Sequence, residues 1–402
     1  MHVTYIVSRF PHPSETFIVR ELDALEATGG MAIDVLALFP PVDATVHPAA
    51  EHWLARLERP SALDGAAGLG WWALRRPLRL LAIAGLVLRC HLRRPRVLVR
   101  ALATLPLAAA HARAVLGSGS EHVHAHYATY PALSAWVCHR LTGTPYSVTA
   151  HAHDIFVDQS MLRRKLADAA FVVTISEHNR GFLSAYVPVE RVHVVHTGVD
   201  PGVYGFSPRS VPAEGRVRAL CVASLQEYKG HAVLLEALAG GPELERVELD
   251  LVGGGPLRPE LERRAAALGI GGRVRFHGTA TEDEVRELLA GADLFVLPSL
   301  VARNGQMEGL PVVLIEALAA GLPVVSTRLS GIPELVEEGR TGLLAAPGDA
   351  RSLREALERV VSGSFEPDLA AGRELVERSF DVSAGAARMR QLFDSAGRSG
   401  AA

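Results

Sequence analysis

Residues 297–331 read LPSLVARNGQMEGLPVVLIEALAAGLPVVSTRLSG, and this stretch decides how the rest of the chain is read. A short apolar run, 294–297, ends at Pro298-Ser299, and a loop rich in Gly, Asn and Gln follows. The loop closes on Glu308-Gly309-Leu310-Pro311, where a helical pattern starts: Val312, Ile315 and Leu318 fall on or near one face, with Leu314 beside them. Pro311 suits the first helical position, where its missing N–H costs nothing. Gly321 and Pro323 stop the helix, and 324–327 leaves it as a second strand. The pattern predicts a strand–loop–helix–strand unit of a parallel sheet. In such a unit the helix N-terminus opens on the crevice outside the carboxyl ends of the strands, where ligands bind. Its free N–H groups and dipole favour an anion by roughly 0.3–1 kcal/mol. Yet Glu308 stands at this mouth and Glu316 about a turn inside. From Pro311 to Glu316 the helix climbs about 7–8 Å at ~1.5 Å per residue. One carboxylate then reaches one part of an elongated ligand and the second another, with phosphates on the amides between. A carboxylate accepting ribose hydroxyls is a familiar nucleotide contact. Taken alone, the two acids read equally well as helix-start residues drawn by the dipole.

The stretch resembles the donor-binding signature of the family 4 glycosyltransferases, which have the GT-B architecture. There, two glutamates at this spacing precede and enter a helix followed by Ala-Ala-Gly-Leu-Pro-Val-Val. Glu308 and Glu316 fall on those positions, with Gly309, Leu310 and Pro311 on the turn between them. The resemblance extends over essentially the whole chain. It implies an α/β fold of two Rossmann-like doubly wound domains facing a cleft, with a C-terminal helix crossing back to the N-terminal domain. The expected division is an acceptor-binding domain at 1–200, a Gly-, Pro- and Ser-rich linker at 201–215, a nucleotide-sugar-binding domain at 216–380 and the returning helix at 381–402.

Composition agrees with such a molecule. A length of 402 residues fits two domains, and 49% apolar residues are enough for real cores. A formal net charge of −3 gives no global basic field for nucleic acid. Cys90, Cys138 and Cys221 have no paired spacing, which argues for a reducing compartment. The chain starts on a strand, 3–7, without a signal peptide, so a cytoplasmic protein is expected. Nearly all its basic charge is arginine; the only lysines are Lys165 and Lys229.

Residues 1–40 read as strand, loop, helix, strand, a βαβ start. Family 4 usually has a glycine-rich first loop, where this chain has Pro13-Ser14-Glu15-Thr16. That departure resembles a subgroup associated with bacterial exopolysaccharide assembly, such as colanic acid. Arg9 and Glu15 are candidates for acceptor contact; a solvated arginine and a helix-start acid account for them equally well. From Gly65 to Ser120 there is no Asp or Glu, while Arg75, Arg76, Arg79, Arg89, Arg93, Arg94, Arg96 and Arg100 stand among leucines and alanines. No uninterrupted apolar run approaches the ~20 residues that cross a bilayer. The segment fits amphipathic helices on an anionic membrane at the inner face of the cell membrane, or core helices whose arginines snorkel outward.

Two strand ends are rich in histidine: His122-Val123-His124-Ala125-His126 and, after the strand at 145–150, His151-Ala152-His153-Asp154. Imidazoles with a carboxylate suit a metal, but His-x-His pairs are common without one. Family 4 members commonly carry Thr-x-His-Gly-x-Asp here; Thr149, His151 and Asp154 match, while Ala152 replaces the glycine. The resemblance puts His151 beside the reacting centre and leaves His126, His153 and Asp154 as acceptor-binding candidates. In the second domain it puts a Gly-Arg pair at Ala223-Ser224 and a Lys-Gly pair at Lys229-Gly230, so the phosphate-binding lysine survives and the arginine does not. Ser224, helix amides and Lys229 are left for the diphosphate. A lysine in an arginine-writing chain suggests a need for a compact point charge. Gly253-Gly254, after the strand at 248–252, lets a ligand lie against backbone, and the family contacts the base near His277 and Gly278.

The resulting expectation is a retaining glycosyltransferase with no cofactor and no metal; Asp-x-Asp, which holds a metal–diphosphate, does not occur. The donor is a UDP- or GDP-linked hexose and the acceptor a glycan or polyprenyl-diphosphate-linked oligosaccharide. Lys229 and the amides at 309–311 stabilise the departing diphosphate, Glu316 holds ribose, and Glu308 holds donor-sugar hydroxyls. Loss of Glu308 or Lys229 is expected to cost turnover and leave melting nearly intact. Two other readings stay open: a metal-dependent hydrolase using His124, His126, His151 and His153, and an inactive nucleotide-sugar-binding protein.

Overall fold

The computed structural model describes residues 1–11, 15–41 and 48–399, and its chain divides into two compact units. The first comprises residues 1–196 and the C-terminal stretch from Val382; the second comprises Thr197–Asp381. Pro13 and Ser14 of the first loop lie outside the described residues.

Unit 1 runs β1 (His2–Arg9), α1 (Thr16–Ala27), β2 (Ala32–Phe39), β3 (Leu57–Glu58), α2 (Ala62–Arg75), α3 (Pro77–His91), α4 (Pro95–Ser118), β4 (His122–His126), α5 (Tyr130–Thr142), β5 (Tyr146–Ala150), α6 (His153–Phe156), α7 (Leu162–Ala167), β6 (Phe171–Thr174), α8 (Glu177–Leu183) and β7 (Val192–Val194). Its strands form one parallel sheet in the order β3-β2-β1-β4-β5-β6-β7. Strands covered on both faces read as apolar runs, and Val3–Val7 and Phe171–Thr174 do so. Strand β4 departs from that rule: His122, His124 and His126 occupy alternate positions and so share one face. Helix α5 starts at Tyr130, four residues after the end of β4 at His126. Tyr127 sits in the left-handed region (φ 77) and the Ala128 amide is turned towards Asp154, so neither can begin a helix.

Helix α4 bears on the two readings of residues 65–120. By length and composition it is apolar enough to cross a bilayer, although its sequence has no unbroken apolar run. In the fold, Ala101, Leu105, Ala108, Ala112 and Val115 are buried in the unit 1 core. Trp72 of α2 donates its indole N–H to the Ala109 carbonyl at 3.0 Å. Here α4 packs one face into the core and leaves Val99, Leu102 and Leu116 exposed on the other.

Unit 2 runs β8 (Val217–Val222), α9 (His231–Ala239), β9 (Val247–Val252), α10 (Arg258–Ala267), β10 (Val274–Gly278), α11 (Glu282–Gly291), β11 (Leu294–Leu297), α12 (Val312–Ala320), β12 (Val324–Thr327), α13 (Ile332–Leu335), β13 (Gly342–Ala345), α14 (Ala350–Val361) and α15 (Leu369–Ser379). Its parallel sheet has the order β10-β9-β8-β11-β12-β13. The stretch before β8, read from composition as a linker, packs on this unit: Ser207 and Arg209 donate backbone N–H groups to Ala320 and Gly321. The last helix, α16 (Val382–Ser399), returns to unit 1, where Met389 and Phe393 join Tyr5, Leu22 and Leu25 in one buried cluster.

Candidate functional site

In unit 2 the strand order reverses between β8 and β11. That reversal opens a crevice at the carboxyl ends, the usual ligand position of a doubly wound sheet. Both strands feed candidate residues into it: β8 runs through Ser224 to Lys229, and β11 through Pro298-Ser299 to Glu308. The two loops are stitched together. Leu300 N–H donates to the Tyr228 carbonyl at 2.8 Å. Gly230 has φ +74, and a Cβ there would lie 1.8 Å from the Pro298 carbonyl oxygen, so only glycine fits. That contact holds Lys229 against the end of β11.

The Lys229 ammonium donates to the Glu308 carboxylate, and both side chains are only 14% exposed. Burial opposes the lysine's charge, but the neighbouring Glu308 and Tyr228 outweigh it, and the pKa lies above that of an ordinary lysine. Helix α12 begins one residue later than the pattern suggests: Pro311 is its extended N-cap (φ −76, ψ 112) and Val312 its first helical residue. No side chain of the cap residue covers the first amides of α9 or α12. Glu316, on the second turn of α12, is 8% exposed. The structure thus gathers Lys229, Glu308, Gly309, Leu310, Pro311 and Glu316 around two uncapped helix starts.

Other donor-side candidates differ from expectation. Gly253 (φ +140) is required by a close backbone passage, because a Cβ would lie 2.1 Å from the Ala223 carbonyl oxygen. The run Gly253-Gly254 therefore serves loop packing, with Leu225 N–H donating to the Gly254 carbonyl at 2.9 Å. Ser224 stands half-buried in the facing loop. His277 is committed elsewhere: its Nε2 lies 2.6 Å from Asp250 Oδ1, beside Arg275. Burial alone would raise Asp250, but Arg275 and His277 hold it below the usual carboxylate range. Gly278 offers its carbonyl to Gly253 N–H at 2.6 Å.

Two residues escaped the sequence reading. His231, the first residue of α9, is 2% exposed, and neither ring nitrogen has a hydrogen-bond partner. Burial and the adjacent Lys229 push its pKa down to about 4. Ser299, at the end of β11, is fully buried with its hydroxyl unpartnered. Buried polar groups without partners are rare and costly. The only sequence signal was position: one follows Lys229-Gly230, the other follows Pro298.

In unit 1 the histidines of β4 and the β5 end form a network in which His124 and His126 use every ring nitrogen, while His122 bonds Ser147 Oγ at 2.8 Å through Nε2 and leaves its buried Nδ1 without a partner. His124 binds Ser147 Oγ at 2.7 Å through Nδ1 and Thr149 Oγ1 at 2.9 Å through Nε2. The Glu21 carboxylate accepts from the Tyr5 hydroxyl at 2.9 Å and from His126 Nε2 at 3.2 Å. That pattern assigns His126 Nδ1 as acceptor for His151 Nε2–H at 3.1 Å. His151 also packs between Phe17 and Tyr127, and burial, His126 and His153 push its pKa well below the ordinary value. His153 is exposed, its ring 5.3 Å from that of Tyr127.

Asp154 is a correction. It is fully buried, and its carboxylate accepts backbone N–H groups of Ala128, His151 and Ala152 at 2.7–3.2 Å. It braces the turn that carries His151 and has no face left for an acceptor. Arg9 donates to the Pro40 carbonyl and lies over Phe39, and Glu15 is the half-buried N-cap of α1.

The metal set named from sequence does not assemble. Among the described residues, the group with ligand spacing is Glu21, His124 and His126. All four of its imidazole nitrogens already have protein partners, and both rings are fully buried. An open coordination position for a hydrolytic water is not offered.

Two parallel α/β sheets, with an ammonium–carboxylate pair and uncapped helix starts at the switch point of the second, define a doubly wound class of protein with an anion-favouring crevice. Residues 206–373 match the family described as glycosyl transferases group 1, so the chain carries a group 1 glycosyltransferase domain. It is 38% identical over 201 residues to the amylovoran biosynthesis glycosyltransferase AmsK of Erwinia amylovora, covering 48% of each chain. It is 37% identical over 199 residues to the putative colanic acid biosynthesis glycosyltransferase WcaL of Escherichia coli, again covering 48% of each. The chain thus spans about half the length of the curated relatives it matches. The structure of Anabaena Alr3699/HepE in complex with UDP-glucose superposes with a TM-score of 0.72 at 18% identity, over 98% of this chain and 100% of that one. The fold is accordingly of the GT-B class.

Proposed function

We propose that the protein is a retaining, metal-independent glycosyltransferase of exopolysaccharide biosynthesis. It moves a hexose from a UDP- or GDP-linked donor to a glycan or polyprenyl-diphosphate-linked acceptor, in the cytoplasm at the inner face of the cell membrane. One observation carries the reading: the buried Lys229–Glu308 pair at the uncapped starts of α9 and α12, with Glu316 one turn further on. The names of AmsK and WcaL support the pathway class, and the UDP-glucose bound to HepE supports the donor class.

In this reading the donor diphosphate takes the Lys229 ammonium away from Glu308. Lys229 and the amides of α9 and α12 then stabilise the charge that develops as the anomeric C–O bond breaks and the diphosphate departs with the electron pair. Glu308, released, accepts donor-sugar hydroxyls, and Glu316 accepts ribose hydroxyls. His231 and Ser299 gain the partners they lack. An acceptor hydroxyl forms the new C–O bond and its proton passes to the departing diphosphate; His151 of unit 1 is the acceptor-side candidate. A positively charged group in place of a metal–diphosphate is what Lys229 supplies.

The test is turnover and donor binding together. Purified protein should bind UDP-glucose or GDP-mannose in a calorimetric titration and transfer or hydrolyse the sugar equally with and without EDTA. Glu308→Ala and Lys229→Ala should each lower kcat by about 10²–10³, the scale for losing one preorganised electrostatic contact. Full turnover in both variants, or activity abolished by EDTA, would overturn the proposal.

A further inference from the structure

We infer that the outer face of the α2–α3–α4 layer docks onto an anionic lipid surface. Three observations converge on it. The first is exposure. Among the described residues, every large apolar side chain more than 60% exposed lies here: Leu63, Leu74, Leu78, Leu81, Leu92 and Val99; none elsewhere exceeds 52%. Apolar exposure this concentrated marks an interaction site on a soluble protein.

The second is periodicity. Along α3, Leu78, Leu81, Gly85, Leu88 and the C-cap Leu92 fall at spacings of three and four, which is one helical stripe. All five are exposed. Ile83, Val87 and His91 form the opposite stripe, and it is buried. An ordinary surface helix hides one apolar face; this one hides one and presents another. Helix α3 is joined to α2 through Arg76 and Pro77, so Leu74 and Leu78 extend the outward patch around the corner.

The third is charge. Residues 65–120 hold no acid, and Arg89, Arg93 and Arg96 are exposed with no carboxylate at salt-bridge distance among the described residues. In contrast, Arg351 of α14 and Arg373 and Arg378 of α15 pair with glutamates on their own helices. Leucines flanked by unneutralised arginines are the chemistry of a helix lying in the interface of an anionic bilayer, with acyl chains under the leucines and phosphates against the guanidinium groups. A protein partner would have to supply both a large apolar face and a dense acidic rim, while an anionic membrane supplies the two together. The assignment shares only the location with the proposed function and rests on none of its donor chemistry.

The experiment uses the full chain and sedimentable vesicles, either phosphatidylcholine alone or phosphatidylcholine containing phosphatidylglycerol. The protein should sediment with the anionic vesicles and progressively less as salt rises. Replacing Leu78→Asn, Leu81→Asn and Leu88→Asn together, or Arg89→Glu, Arg93→Glu and Arg96→Glu together, should lower the partition coefficient roughly tenfold or more. Because these side chains are exposed, both variants should keep the parent Tm and the parent rate of donor hydrolysis in solution. Absence of parent binding to anionic vesicles overturns the inference, as does unchanged binding in both variants. A leucine variant that turns a dimer into a monomer while vesicle binding persists assigns the face to a second copy of the chain instead. Loss of donor hydrolysis in the parent, with vesicle binding intact, would sink the transferase reading and leave this one standing.

Discussion

At the strand ends of unit 1, His124 and His126 spend all four ring nitrogens on Ser147, Thr149, His151 and Glu21. At the strand ends of unit 2, His231 has no partner on either ring nitrogen and Ser299 none on its hydroxyl. Both clusters are buried, so burial does not separate them; hydrogen-bond completion does for His124 and His126, with His122 Nδ1 the one unpartnered ring nitrogen on that strand. A complete buried network braces the fold and gains nothing from a ligand. An incomplete one holds desolvated donors and acceptors that a ligand can satisfy. The difference teaches that the histidine-rich strands, which draw the eye in the sequence, act mainly as scaffold. The sparse lysine–glutamate corner is the part that is left open.

The largest effect that can break this contrast is acid. Burial holds His122 down to about 3 and His111 to about 4, and it pushes His124 and His151 well below the ordinary histidine value. These groups are neutral when folded and take up a proton near pH 6.5 when unfolded. Their contribution is therefore fully present above about pH 6.5 and is lost as pH falls towards the folded pKa, by about 1.4 kcal/mol per group per pH unit. Unit 2 has one comparable group, His231, at about 4. Between pH 7.5 and 5.5, His122 and His111 together should cost unit 1 about 3 kcal/mol, with His124 and His151 acting in the same direction, against about 1.4 kcal/mol for His231 in unit 2. Hydrogen exchange read peptide by peptide checks it. Unit 2 losing protection first would refute the ordering.

Next in size is Asp154→Ala. Three buried amides, of Ala128, His151 and Ala152, lose their acceptor. At about 1–3 kcal/mol for each unsatisfied group, the cost is about 3 kcal/mol or more. At about 2–4 °C per kcal/mol, Tm should fall by about 6–12 °C. Asp154→Asn keeps one acceptor oxygen and should fall less. A ligand contact with no bracing role predicts an unchanged Tm in both.

The alternation of elements was legible because parallel strands buried on both faces must be apolar runs, and Leu294–Leu297 or Val324–Thr327 can be little else. Glu308 and Glu316 stood out by their place about a helix start, where spacing alone left helix-start acids an equal reading and the family resemblance gave them their expected roles. Lys229 was legible through rarity, yet the same argument misleads for the other lysine. Lys165 is buried in unit 1, donates to the Thr129 carbonyl at 3.3 Å, and has its pKa lowered to about 8 by burial. It lies far from the switch point of unit 2 in sequence and belongs to the other unit. Asp154 looked like a ligand contact because its bracing role depends on Tyr127 adopting a left-handed backbone, which no periodicity announces. Glu21 was unreadable as the partner of His126, because 105 positions separate them and only the packing of α1 on the sheet brings them together.

Smaller effects sharpen the open side of the comparison. Lys229→Met leaves Glu308 desolvated and alone. Removing one partner of a fully buried pair costs about 3–5 kcal/mol; with each side chain 14% exposed, about 2 kcal/mol is the reasonable scale. That loss runs against the sequence expectation that melting would stay nearly intact, and a melting curve of Lys229→Met decides between them. The double variant Lys229→Met, Glu308→Gln should recover most of the loss while remaining inactive. A double variant as unstable as the single one would mean that the pair is not the source of the cost.

The smallest change in stability is the most discriminating. His231→Phe replaces a buried ring without hydrogen bonds by an apolar ring of similar shape. Removing an unsatisfied polar group is neutral or stabilising, by up to about 1 kcal/mol. The matching change in unit 1, His124→Phe, strands Thr149, while Ser147 keeps His122 Nε2, and should destabilise by about 1–3 kcal/mol. In chemical denaturation the two phenylalanine variants should therefore move in opposite directions, or one should not move at all. If the orphaned ring of His231 waits for the donor, His231→Phe should also weaken nucleotide-sugar binding by roughly tenfold, the worth of about one hydrogen bond to a charged group. Equal destabilisation of both variants, with donor affinity unchanged, would show that His231 is packed for shape alone, and the contrast between the two strand-end clusters would have to rest on Lys229 and Glu308 by themselves.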